Sequence, residues 1–406
     1  METELSKKPG TLGNLTPEEE VKLQEAWVHL LRLCGIEGLD TGKFCSIPDH
    51  SDKFRHHLTD KTPEGFRKNM WASFRAEHPD GLVLRFLRAR KWDVEKGVTM
   101  MISAVDWRHH RKVDSDLVFK GESVALKDKD KQTADDKTFI QQYRSGKSYV
   151  RGTDKAGRPV YIIRVKLHDP YAQSSECMEE YVLHNIESIR VLVQPPYDEA
   201  CLIFDMTGFG LKNMDFHVVK FLITVFESKY PETLGLVLIH NAPFVFWGLW
   251  NMIKGWLDPV IASKINFTRG KNDMARFIDK SNMQKFYGGD DDWDYYYPEP
   301  VPGENPKLGN QEERAPIDEA RVKLFQELAV ETTAWAALGA RSEEGKAKSD
   351  KRDEIIERLK SNYWELDPYI RATTYLYRVG VVNDKGEVDF KGATTAKANG
   401  AKTNGA

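Results

Sequence analysis

Residues 200–240, ACLIFDMTGFGLKNMDFHVVKFLITVFESKYPETLGLVLIH, carry the reading of the fold. The two ends, 200–205 and 234–240, are short and almost wholly apolar, the pattern of strands covered on both faces rather than one. Between them Met214, Val218, Phe221, Leu222 and Val225 recur at helical spacing. A strand, a helix and a second strand within one such stretch predict a parallel pair joined by a right-handed crossover. The pattern continues outward. Residues 158–165 (RPVYIIRV) read as a strand, and Met178, Val182, Ile186, Ile189 and Val193 as the helix that follows it. Beyond residue 240 come a very apolar run, 244–257 (FVFWGLWNMIKGWL), a short helix opened by Asp258-Pro259 and closing at Lys264, and a short strand at 265–268. The fold class is therefore α/β: a mainly parallel sheet flanked by helices.

The flanks are helical. Thr16-Pro17-Glu18-Glu19 supplies an N-cap, a first-turn proline and first-turn acids, and Leu23, Trp27, Leu30, Leu31 and Cys34 form one apolar stripe behind them. A second helical block covers 63–112, with Val94, Val98, Met101, Ile102 and Val105 in register. Residues 113–137 are charged and read as an exposed connection, and 290–310 as a proline-rich acidic linker. Pro316 reads as the start of a helix carrying Leu324, Leu328 and Trp335; Ile355, Leu359, Tyr363 and Leu366 mark another. The expected organisation is a leader and first helix (1–62, flexible to residue 13), a helical subdomain with its connection (63–137), an α/β domain (138–290), a linker (291–316), a helical extension (317–381) and a disordered tail (382–406).

Composition narrows the function classes. The 406 residues are 40% hydrophobic and 30% charged with a net charge of −3, so no global attraction to nucleic acid is expected. Cys34, Cys45, Cys177 and Cys201 have no paired spacing, which points away from a zinc motif or disulfide framework and toward a reducing compartment. The N-terminus lacks an apolar signal core, and no run reaches the roughly 18 apolar residues of a spanning helix. Enzyme motifs are incomplete. Thr207-Gly208-Phe209-Gly210 follows a strand as a dinucleotide turn would, but Asn213 stands at the third glycine; a tight turn with Asn213 as helix N-cap is the simpler reading. Gly146-Lys147-Ser148 lacks the leading glycine of a P-loop, where Gln141 stands. The neighbours His56-His57 and His109-His110 fall on different helix faces, a poor metal pair. No nucleophile is matched with a base, so no enzymatic chemistry is expected.

Six segments occur together in order: 84–93 (LRFLRARKWD), 154–161 (DKAGRPVY), the strand ending Asp205-Met206 before a glycine turn, 230–232 (YPE), 240–243 (HNAP) and 257–264 (LDPVIASK). As an ordered set, covering roughly residues 60–290, they resemble the CRAL-TRIO lipid-binding family, most closely its fungal phosphatidylinositol transfer branch. The resemblance implies a helical N-terminal subdomain packed on an α/β lobe whose hydrophobic pocket is gated by a mobile helix. Residues 244–256 match that gate. Phe244, Phe246, Trp250 and Ile253 are then the gate's acyl-facing candidates, and Leu202, Phe204, Phe221, Val237 and Ile261 the pocket's. Read alone, the same stripe would be an ordinary core helix. Gly248 and Gly255 each weaken a helix by up to about 1 kcal/mol relative to Ala, which suits a segment that moves.

By the same resemblance, Arg90, Glu232 and Lys264 fall on the inositol head-group positions: two cations for phosphate and a carboxylate for ring hydroxyls. Each alone would pass for a surface charge. Ile261 stands where the family often has Thr. At the choline-head positions the family's Ser and Thr become Ala200 and Leu202, and of two tyrosines one becomes Val150 and only Tyr161 remains. Poor phosphatidylcholine binding is expected. The implied ligand is a phospholipid, chiefly phosphatidylinositol, with no cofactor. The implied protein is a cytoplasmic monomer in transient peripheral contact with intracellular membranes. The alternatives are a carrier of a sterol or another hydrophobic ligand, a lipid-sensing scaffold whose C-terminal helices bind a protein partner, and, far behind, a nucleotide-dependent oxidoreductase.

Overall fold

The computed structural model describes residues 8–193 and 198–392. Its helices in chain order are α1 (Pro17–Leu33), α2 (Ser51–Arg55), α3 (Pro63–Phe74), α4 (Pro79–Ala89), α5 (Val94–His110), α6 (Ala134–Arg144), α7 (Ser175–Arg190), α8 (Phe216–Ser228), α9 (Phe246–Lys254), α10 (Pro259–Ser263), α11 (Gly270–Met274), α12 (Gln311–Ala336), α13 (Glu343–Ile370) and α14 (Tyr375–Arg378). The strands are β1 (Ser148–Thr153), β2 (Pro159–Arg164), β3 (Ala200–Asp205), β4 (Leu234–His240) and β5 (Ile265–Thr268). The chain forms two compact units. Among the described residues, one comprises 8–116, 228–232 and 307–370; the other comprises 117–193, 198–227, 233–306 and 371–392. Their boundaries are not those expected from the sequence.

The first unit is all-helical. Thr16 and Glu19 cap α1 reciprocally, each side chain taking the other's backbone N–H. Every member of the α1 stripe is buried, and Trp27 lies within a ring of Trp71 and Phe74. The C-terminal helices belong to this same core. Phe325 of α12 stacks on Trp71 at 4.4 Å, and Arg352 of α13 is buried against Asp80, with Nη2 2.6 Å and Nη1 2.9 Å from its two carboxylate oxygens. They are not a separate extension starting at 317. Helix α12 begins at Gln311, where Asn310 accepts the Glu313 N–H, so Pro316 sits inside the helix rather than at its start. Residues 8–14 are likewise no flexible leader: Thr11 bridges Asn14, and the Gly10 carbonyl accepts from Arg88.

The second unit is built on one five-stranded sheet in the order β1-β2-β3-β4-β5; β1 is antiparallel to β2 and the remaining neighbours are parallel. Register places Tyr161, Leu202, Val237 and Ile265 in one row and Ile163, Phe204, Ile239 and Phe267 in the next row of the same face. Cys201, Ile203 and Leu238 point to the opposite face and are wholly buried. The connection at 113–137 is not an exposed linker. A π-helical turn at Val113–Val118 and a 3-10 turn at Gly121–Leu126 bury Leu117, Val118 and Val124 in this unit, and α6 starts at Ala134 with a Thr133–Asp136 capping box. Nor is 291–306 a free linker: Tyr295 and Tyr297 stack on Tyr375 of α14, and Tyr297 and the Tyr375 N–H both bond to buried Glu122. The order continues past 381, since Gly152 donates to the Phe390 carbonyl and Val382 pairs with Val388. Residues 393–406 of the expected tail lie outside the described residues, as do 1–7.

Candidate functional site

The face bearing Phe204, Ile239, Ile265 and Phe267 lies under α8 and α9. Helix α8 (FHVVKFLITVFES) is strongly apolar, yet Val225 is its one buried residue; Val219, Phe221, Leu222 and Ile223 are half-buried. Opposite it, α9 turns Phe246 and Ile253 inward, with Trp250 half-buried between them. Phe246 and Trp250 stack at 6.2 Å, and Trp250 meets Phe267 edge-on at 5.1 Å. Asp258 joins the pieces: its backbone N–H donates to Glu227 at the end of α8, and its side chain caps α10 through the Val260 N–H.

Of the expected acyl-facing residues, Phe204, Phe246, Trp250 and Ile253 are brought into one cluster. Leu202 and Val237 are buried side by side on the same sheet face, and Phe221 and Ile261 are half-buried. Phe244 does not join them. It precedes α9 in a turn closed by the Phe246 N–H to the Pro243 carbonyl and is 93% exposed. It heads an exposed apolar series with Val245, Trp247, Met252 and Val260. The sequence reading missed Phe209, Ile239 and Phe267 as cluster members; the register of β4 and β5 puts Ile239 and Phe267 side by side on this face, and Phe209 comes from the turn after β3.

The head-group candidates divide between the units. Arg90 is exposed at the C-cap of α4, where Lys91 and Trp92 take positive φ of 52° and 64° and turn the chain away. Glu232, in the same unit, also has positive φ (56°), a strained setting for a non-glycine residue. Lys8 holds the Glu232 carboxylate at 3.1 Å. Lys8 had no signal in the sequence, because nothing in a polar leader announces a partner 224 residues away. In the second unit Lys264 caps α10, its carbonyl accepts from Val237, and its ammonium lies 3.8 Å from Glu199, which also faces Arg158 at 3.6 Å. The Tyr161 hydroxyl donates to Ser148 at 2.6 Å, and burial pushes its phenol well above the ordinary value. Val150 and Leu202 are buried apolar residues on the Tyr161 face.

The turn at 207–210 is held by side chains. Asn213 accepts from the Gly210 N–H and donates to the Lys166 and His168 carbonyls, while Asn241 donates to Thr207. Phe209 is buried in the apolar cluster. Asn213 is not the N-cap of α8: that helix starts three residues later, and Asp215 accepts the Val218 N–H.

Among the described residues no helix is long and apolar enough to cross a membrane. Comparison with known proteins identifies a CRAL/TRIO domain at residues 143–289 and a CRAL/TRIO N-terminal domain at 50–103. The chain is 35% identical over 421 residues to a CRAL-TRIO domain-containing protein of Schizosaccharomyces pombe, covering 92% of each chain. It is 33% identical over 429 residues to the phosphatidylinositol transfer protein CSR1 of Eremothecium gossypii, covering 90% of this chain and 97% of that one. A phosphatidylinositol/phosphatidylcholine transfer protein of Arabidopsis thaliana, SFH12, is 31% identical over 51% of this chain and 39% of its own. A helical N-terminal region, a mostly parallel sheet and an apolar face under α8 and α9, in a chain matched over nine-tenths of its length, make this protein a member of the CRAL-TRIO family.

Proposed function

We propose that the protein binds and transfers a phospholipid, most specifically phosphatidylinositol, sheltering its acyl chains between the sheet and helices α8 and α9 and exchanging it at membrane surfaces without chemistry of its own. The observation that carries this reading is α8, a 13-residue helix rich in large apolar side chains with a single buried residue, over an apolar sheet face. A protein core would complete such a packing with its own side chains; a guest completes it here. A phospholipid exposes on the order of 30 methylenes, and at about 0.8 kcal/mol each their exposure costs more than ~20 kcal/mol. Exchange therefore proceeds at a bilayer, and exposed Phe244, Trp247 and Met252 are suited to that contact.

In the α/β unit the motif correspondence gives Lys264 the part of a cation for the head-group phosphate, and the name of the Eremothecium relative supports phosphatidylinositol as the lipid. Val150, Ala200 and Leu202 offer a choline phosphate no hydroxyl donor. Vesicle-to-vesicle transfer tests the reading: phosphatidylinositol moves, phosphatidylcholine moves poorly, and Lys264→Ala lowers phosphatidylinositol transfer roughly tenfold to a hundredfold, the size of one charge-assisted contact. Efficient phosphatidylcholine transfer with none of phosphatidylinositol defeats it; sterol transfer indifferent to Lys264→Ala makes the protein a carrier of a less polar lipid.

A further inference from the structure

Immediately before β1 lies an amine that the reading above does not use. Lys147 is only 3% exposed. Its Nζ is 3.1 Å from Nδ1 of His168, 3.7 Å from the Met178 sulfur and 5.5 Å from the centre of the Tyr181 ring. Among the described residues no carboxylate stands within 4 Å of it. Asp215 is reached only across the imidazole, 3.1 Å from His168 Nε2. The imidazole therefore accepts from the ammonium at Nδ1 and donates to Asp215 at Nε2, and burial together with Lys147 lowers its pKa. A buried ammonium with neutral immediate neighbours is in an unfavourable setting. Desolvation accordingly pulls Lys147 down to about 8, with Cys177, Asp215 and Asp169 opposing only from a distance.

The surroundings point to what would offset this. Ser148 pairs with Ile163 in the sheet, so it shares the face of Tyr161, Leu202, Phe204 and Val237. Its hydroxyl bonds to both Tyr161 and Tyr181 at 2.6 Å. One corner of an apolar sheet face thus collects three hydroxyls beside a buried cation that has an N–H to spare. We infer that this corner, formed by Lys147, Ser148, Tyr161 and Tyr181, is a second polar subsite that takes the carboxylate of a long-chain fatty acid, whose chain lies along the apolar face. A monocarboxylate matches one cation and the one hydroxyl proton that the Tyr161–Ser148–Tyr181 chain leaves over, and it brings the acyl chain that the face accommodates. The site uses neither Arg90, Glu232 nor Lys264, and it goes beyond the phosphatidylinositol reading.

The test is fluorescence binding of cis-parinaric acid and of its methyl ester to the full chain. The acid is expected to bind roughly tenfold or more tightly than the ester, the size of one charge-assisted hydrogen bond. Lys147→Met should remove that preference while leaving ester affinity in place, which also shows that the pocket is still folded. Lys147→Arg should keep most of it. Equal affinity for acid and ester in the unaltered chain, a comparison that needs no variant, overturns the inference, as does an undiminished preference in Lys147→Met. Acid preference without phosphatidylinositol transfer supports this site and defeats the earlier reading alone; transfer without acid preference does the reverse.

Discussion

Two apolar assemblies in this chain are built from similar residues and finished differently. Around Trp27 in the helical unit, Leu30, Leu31, Met70, Phe74 and Leu328 are buried essentially completely, and even the charged pair Asp80–Arg352 is sealed in. In the cluster around Trp250 in the α/β unit, Phe204 of the sheet and Val219 and Ile223 of α8 are left half-buried. Apolarity decides which side chains leave water, but the shape of the facing elements decides how completely. The first assembly is closed by the protein's own α12 and α13. The second is left partly open, and on the proposed function a ligand closes it.

The largest effect should come from unsealing the closed core. Removing one partner of a buried ion pair leaves the other charge uncompensated, so Asp80→Ala is expected to destabilise the protein by about 3–5 kcal/mol in urea or thermal unfolding. Burial pushes the Asp80 carboxyl up, but Arg352, His78 and the Trp27 hydrogen bond outweigh it and hold it below the usual carboxylate range. A lowered native pKa means stability present above the unfolded value of about 3.9 and lost as pH falls through it toward the native one. Acid unfolding should therefore lose part of its steepness in Asp80→Asn. A stability change under about 1 kcal/mol for Asp80→Ala would place this pair outside the cooperative core.

The next effect separates the two assemblies. A buried Trp→Ala ordinarily costs about 3–5 kcal/mol. At Trp250, half-buried over the apolar sheet face, Trp250→Ala should cost about 1 kcal/mol in the lipid-free protein yet markedly reduce lipid loading, read by mass spectrometry of the co-purified lipid. A full core-like loss of stability with normal loading would erase the distinction. The smallest effect concerns motion. Gly248 in α9 has no neighbour within 4 Å of where a Cβ would stand, so Gly248→Ala is free of clashes and acts through helix propensity alone. It should stabilise α9 by up to about 1 kcal/mol and slow vesicle-to-vesicle exchange severalfold, with equilibrium loading unchanged. Faster exchange would exclude unwinding of α9 as a step in release.

Much of the sheet was legible from local pattern. Strands β2 to β5 and helices α7 and α8 are close to where apolar patterning puts them, with Val193 and Met214 falling just outside the two helices; α10 follows from its Asp258-Pro259 start, and α9 was implied by the family resemblance. The capping box at Thr16 is equally local. Strand β1 (SYVRGT) was not legible: it is short and polar, and pairing with β2 makes it a strand. The buried turns between 113 and 126 were hidden for a related reason. Glu122 reads as a surface acid until Arg378, Tyr297 and the Tyr375 N–H, all distant in the chain, converge on it. Among the candidate site residues, Phe246, Trp250 and Ile253 followed from helical spacing, whereas the exposure of Phe244 depends on where α9 begins.

The amino-acid sequence by itself determined the α/β class, the apolar strands and helices, and the order of motifs that marks the family, since these rest on interactions within a few residues of one another. Only the tertiary structure decided that residues 311–370 complete the helical core, that the segment from 371 belongs to the α/β unit, that Lys8 holds Glu232, and that Lys147 is buried beside His168. Those are pairings across tens to hundreds of residues, and burial and charge compensation exist only once the chain has closed on itself.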